Sequence, residues 1–109
     1  MKENDLVVTI LWHANPFRGD KFEDAWRPVA AAALDYGATS WALLRSKDDP
    51  LDFTQTMTFP DKGAFDRYWF AEEIAEARAE VSGYFQVPVL PLYFRVVGAG
   101  ELEPAEIES

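Results

Sequence analysis

Leu6–His13 is an apolar, β-branched run with polar ends, the pattern of a strand buried on both faces. Asn15-Pro16 breaks it, and Gly19 adds a second stop. Asp20 has the character of a helix N-cap, with Glu23 three residues on in position to reach back to it. Phe22, Trp26, Val29, Ala30, Ala33 and Leu34 then recur at helical spacing as far as Tyr36, and Gly37 supplies the stop. Pro28 lies inside this stripe and removes the hydrogen bond to Asp24. Because the stripe runs through it, a bent helix is expected rather than a helix beginning at Pro28.

Ser40–Ser46 and Leu51–Phe59 read as two strands joined by a turn at Lys47-Asp48-Asp49-Pro50. The second alternates: Thr54, Thr56 and Thr58 share one face, while Phe53, Gln55, Met57 and Phe59 share the other. Pro60-Asp61 opens a helical region in two pieces. Phe65 and Trp69 define one stripe, and Phe70, Ile74, Ala77 and Val81 define another, so the phase shifts near Phe70-Ala71. Val87–Val97 is the last strand, and Pro88 and Pro91 within it require a sheet edge. The element order is β-α-β-β-α-β, an α+β ferredoxin-like domain with an antiparallel four-stranded sheet in the order 4-1-3-2. Residues 1–97 form that single domain. Gly98–Ser109 is an acidic tail, expected either without fixed structure or draped over a partner.

One layer of helices covers one face of such a sheet, and the other face then carries an apolar patch too large for a comfortable monomer. A homodimer is therefore expected. The net charge of −9 disfavours nucleic acid and anionic membranes, which need a basic face. No stretch approaches the roughly 20 apolar residues of a membrane span, and no secretory signal is visible at the start. With no cysteine, disulfides and thiolate chemistry are excluded, which fits a cytoplasmic location.

Candidate chemistry is sparse. His13, the only histidine, is suited to moving a proton near neutral pH, although no carboxylate neighbours it in sequence. Sixteen aromatic residues can pack a core or line a flat pocket. Arg45 lies on the same side of its strand as Trp41 and Leu43, placed to orient an anionic or carbonyl group or to form an ion pair, and Arg95 sits similarly in the last strand. Glu72, Glu73, Glu76 and Glu80 form a solvated helix face without metal-ligand spacing, so neither metal nor haem is expected.

Several segments together resemble the antibiotic biosynthesis monooxygenase-like family of dimeric α/β-barrels. They are the opening strand with its Asn15-Pro16 exit, Trp26-Arg27-Pro28 ahead of an Ala-rich half-helix, and Tyr36-Gly37-Ala38-Thr39-Ser40-Trp41. Leu44-Arg45-Ser46 before Asp-Asp-Pro, and Met57-Thr58-Phe59-Pro60-Asp61-Lys62-Gly63-Ala64-Phe65 leading to Tyr68-Trp69, complete the set. The resemblance spans Leu6 to Val97 and implies a homodimer with a cleft between each sheet and its helices. Some family members oxidise aromatic polyketides with oxygen and no metal or flavin. Others degrade haem, using a histidine on the later helix and an asparagine on the first strand. Phe70–Val81 contains no histidine and Leu6–His13 no asparagine, which disfavours haem degradation.

The expectation is thus a cofactor-independent monooxygenase-like enzyme acting on a small aromatic or quinone-like compound, with no cofactor and no metal. His13 and Tyr68 are the candidate catalytic residues, and Trp26, Trp41, Arg45 and Trp69 the candidate substrate-binding residues. The alternative is a non-catalytic dimeric barrel that binds a lipophilic small molecule or serves a purely structural role.

Overall fold

The computed structural model describes residues 1–102. Four strands, β1 (Leu6–His13), β2 (Ser40–Arg45), β3 (Asp52–Phe59) and β4 (Pro91–Arg95), form one antiparallel sheet in the order β2-β3-β1-β4. This is the expected ferredoxin-like order read from the other edge. The helices are α1 (Gly19–Ala31), prolonged by a 3-10 segment over Ala32–Tyr36, then α2 (Lys62–Trp69) and α3 (Glu72–Glu80). No helix among the described residues is long and apolar enough to cross a membrane.

α1 passes through Pro28 as one helix. Its start differs from expectation: Arg18 is the N-cap residue and makes no side-chain cap bond, while the Asp20 carboxylate accepts from Arg45 Nη1 at 2.8 Å. The helix begins at Gly19, which puts Asp20 inside the first turn and not at the cap. Gly37 closes the 3-10 segment at φ +99°, a left-handed position that favours glycine. Asp61 caps α2 as expected, its Oδ1 accepting from Ala64 N at 2.9 Å. The chain breaks at Phe70-Ala71 as the phase shift required. Phe70 itself is exposed at the break rather than part of the second stripe, and Leu34 is also half exposed.

β4 is shorter than the expected Val87–Val97. It begins at Pro91 and pairs only with β1 at the edge; Pro88 follows a cis Val87-Pro88 bond outside the ladder. Of the expected tail, Gly98–Leu102 is exposed and free of regular structure, and 103–109 lie outside the described residues.

Alternation in the strands divides the sheet. Val8, Ile10 and Trp12 of β1 and Phe53, Gln55, Met57 and Phe59 of β3 face the helices and are buried with Phe22, Trp26, Phe65 and Tyr68. Their neighbours point to the opposite face, which no helix among the described residues covers. There Val7, Leu11, Leu44, Leu92 and Phe94 surround Thr54 and Thr56, and Leu11, Leu44 and Phe94 each expose more than half of their surface.

Candidate functional site

Gln55 organises the helix-side interior. Its side chain is fully buried, and its Oε1 accepts from Trp12 Nε1 at 3.0 Å and from Trp26 Nε1 at 2.9 Å. Nε2 donates to the Tyr68 oxygen at 3.1 Å and lies 3.4 Å from the Met57 sulfur, and the Tyr68 hydroxyl donates to the Val29 carbonyl at 2.8 Å. Every polar atom of the network has a partner, and no buried side-chain nitrogen or oxygen among the described residues lacks one. Burial, slightly offset by the Gln55 bond, pushes the Tyr68 hydroxyl up to about 12 from an ordinary value near 10. Its oxygen is held between Gln55 Nε2 and the Val29 carbonyl, inside the packed interior.

Trp69 ends α2 and is nearly buried. Its ring stacks on Phe65 with centroids 5.9 Å apart and lies under the Arg78 guanidinium at 4.1 Å, while Arg78 Nη1 donates to the Trp69 carbonyl at 2.8 Å. Burial lowers the Arg78 pKa. Trp26, expected to border a cleft, instead packs between sheet and helices with Trp12, Phe22 and Phe85, in a cluster with centroids 4.8–6.1 Å apart.

A cavity of about 210 Å³ opens at the other flank, between β2 and α1, lined by Glu23, Arg27, Trp41, Leu43, Arg45 and Phe53. Trp41, Leu43 and Arg45 alternate on the helix face of β2, opposite Met57, Gln55 and Phe53 in register. Glu23 and Arg27, one turn apart on α1, form the opposing wall, with Arg27 Nη2 2.9 Å from Glu23 Oε2. Arg45 is anchored by Nε to the Pro50 carbonyl at 2.7 Å and by Nη1 to Asp20 at 2.8 Å and Glu23 at 3.1 Å, with Phe53 under its guanidinium at 5.0 Å. The bond to Asp20 raises its pKa against the opposing effect of burial. Gly19 makes room for this arrangement: a Cβ there would stand 2.6 Å from Arg45 Nη2 and 3.1 Å from the Pro50 carbonyl.

The six expected site residues thus fall into three places. Trp41 and Arg45 share the cavity. Trp26, Tyr68 and Trp69 belong to the interior packing, with Trp26 and Tyr68 fully buried. His13 points to the open face of the sheet, because its neighbour Trp12 points to the helices, so it cannot reach the cavity. It has a carboxylate partner that sequence distance concealed: Nδ1 contacts Asp52 Oδ1, and the two residues are directly opposite on β1 and β3. Neither Glu23, read from the sequence as a helix-cap residue, nor Arg27 is among the expected site residues. Their spacing four apart on α1 reads as an ordinary helix-surface ion pair.

The chain matches no family model and no curated protein sequence. Solved structures do share its fold. PA3566 from Pseudomonas aeruginosa superposes with a TM-score of 0.77 at 16% identity, covering 90% of this chain and 99% of that one. A protein named antibiotic biosynthesis monooxygenase gives 0.75 at 16% identity, over 85% and 99% of the two chains. SnoaB, a cofactor-independent oxygenase from Streptomyces nogalater, gives 0.75 at 14% identity over 88% and 96%. The expected ferredoxin-like fold is therefore that of structures named as antibiotic biosynthesis monooxygenases.

Proposed function

We propose that the chain acts as a homodimer, each protomer binding a single-ring aromatic anion in the β2–α1 cavity and promoting its oxidation by dioxygen. The observation that carries this reading is the cavity's composition, with aromatic and aliphatic walls from Trp41, Phe53 and Leu43 beside the guanidiniums of Arg27 and Arg45. Its size supports a small substrate. Cavities for drug-sized ligands occupy about 300–1,000 Å³, whereas one of about 150 Å³ holds benzene, so about 210 Å³ suits one substituted ring and not a polycycle. The fold shared with an oxygenase named as cofactor-independent supplies the reaction type by analogy.

In such a reaction an electron-rich phenolate gives its electrons directly to dioxygen. A C–O bond forms at a ring carbon bearing hydrogen, the O–O bond breaks, and the ring hydrogen leaves as a proton. One oxygen atom becomes a carbonyl and the other becomes water. Arg27 and Arg45 would hold the anionic groups and the developing negative charge on oxygen, and Glu23 is the carboxylate within the cavity that can accept the proton. The open face, with Leu11, Leu44, Leu92 and Phe94, supports the dimer as its contact surface.

A non-catalytic binding role is favoured by one feature: Glu23 is already held by both Arg27 and Arg45, at 2.9 and 3.1 Å. Titration with 3,5-dihydroxybenzoate, followed by calorimetry and an oxygen electrode, separates the readings. The oxygenase reading expects binding and oxygen uptake in proportion to product, both weakened at least about 10-fold in Trp41→Ala. Binding without oxygen uptake establishes the second reading, and no binding refutes both.

A further inference from the structure

We infer that His13, Asp52 and Asp49 form a site for a divalent transition-metal ion of the zinc or cobalt class, on the open face of the sheet and separate from the β2–α1 cavity. One ligand atom from each residue falls within a sphere of mutual distances no greater than 4.8 Å. Imidazole with two carboxylates is a donor set that suits zinc, cobalt and their neighbours, and three protein ligands leave a position open to water.

The fold builds this set from three places in the chain. His13 ends β1, Asp52 begins β3 directly opposite it, and Asp49 stands in the turn leading into β3. That turn is fixed before any ion arrives. Ser46 Oγ accepts from Asp48 N and Asp49 N, both at 3.1 Å, and Asp52 N donates to the Asp49 carbonyl at 3.0 Å. Asp49 Oδ1 accepts from Leu51 N at 3.0 Å, which orients the carboxylate and leaves its second oxygen free of any partner among the described residues.

Charge supplies the second argument. Neither Asp49 nor Asp52 pairs with a lysine or arginine among the described residues. Arg45, the nearby arginine, donates instead to Pro50, Asp20 and Glu23. Two carboxylates therefore converge on one imidazole with no fixed cation between them, in a half-exposed setting where side chains of His13 and Asp52 are 40% and 53% accessible. A divalent ion would supply that charge and engage Asp49 as well, whereas a simple His13–Asp52 pair would leave Asp49 apart.

Both alternatives are separable with the untagged full chain. Zn²⁺ is titrated by calorimetry at pH 7.5, and Co²⁺ by its visible absorption. The inference expects one ion per chain, a Co²⁺ spectrum showing nitrogen and oxygen ligation, and affinity reduced at least about 10-fold in His13→Ala and in Asp52→Asn. Asp49→Asn should weaken binding as well, because Asp49 supplies one of the three ligand atoms. None of the three side chains belongs to the buried interior, and circular dichroism and light scattering check that the variants keep their fold and assembly. Absence of stoichiometric binding, or binding unaltered by His13→Ala and Asp49→Asn, overturns the site and leaves a simple His13–Asp52 pair.

Discussion

Replacing Gln55 with leucine removes the hub of the interior while nearly conserving its volume. The Nε1–H groups of Trp12 and Trp26 both donate to Gln55 Oε1, and both rings are essentially inaccessible to water. Each buried donor left without a partner costs about 1–3 kcal/mol, so the pair amounts to about 2–6 kcal/mol. Tyr68 keeps its bond to the Val29 carbonyl and adds little to that loss. For a domain of this size, 1 kcal/mol shifts the melting temperature by roughly 4–8 °C, so a fall of at least about 8 °C is expected. Urea unfolding followed by tryptophan fluorescence measures it, and an unchanged slope would show that the loss is in stability and not in the compactness of either state. Gln55→Glu tests the same hub from the other side. A carboxyl buried there has its folded pKa raised above the unfolded value, so the variant should be most stable in acid and lose stability as pH rises through the folded pKa. A Gln55→Leu protein as stable as the parent would refute the claim that this network is a satisfied structural core.

Tyr68 predicts an alkaline transition. Its folded pKa of about 12 exceeds the unfolded value near 10, so the stability it supports is complete below pH 10 and declines as pH rises toward 12, by about 2–3 kcal/mol in all. Tyr68→Phe should lose that pH dependence, which urea unfolding at pH 8 and pH 11 would show. The uncovered face predicts association: light scattering at micromolar concentration should give about twice the chain mass of 12.3 kDa, falling to the monomer in a Leu44→Asp, Phe94→Asp variant. A monomeric parent protein contradicts the dimer.

Periodicity located nearly every element because one face of each is buried, which is the condition under which period is informative. The break after Trp69 was legible as a phase shift and the edge position of β4 as two prolines. The limits of β4 were not, because Pro91 can start a ladder as well as interrupt one. Asp20 shows the opposite failure: local spacing marks a cap, but Arg45, 25 positions away, takes its carboxylate. The site was harder to read for the same reason. Aromatic residues in a sequence give no sign of whether their rings meet a cavity or one another. Here Trp26 packs on Trp12 and Phe22, while Tyr68 and Trp69 pack on Phe65 and each other. Asp52 became a partner of His13 only through the β1–β3 register, 39 residues away, and Glu23 and Arg27 became cavity walls only once α1 lay across β2.

The four tryptophans make the central distinction, between a structural interior and a ligand cavity on the other flank, visible in one spectrum. Each indole N–H gives a separate ¹⁵N resonance, and the protein can be titrated with 3,5-dihydroxybenzoate while all four are followed. Trp41 lines the cavity, whereas Trp12 and Trp26 are buried on Gln55 and Trp69 lies under Arg78. The expected result is a saturable shift of the Trp41 resonance with the Trp12, Trp26 and Trp69 resonances nearly unmoved. Shifts confined to Trp12, Trp26 or Trp69, with Trp41 unchanged, would place the ligand between sheet and helices and contradict the account.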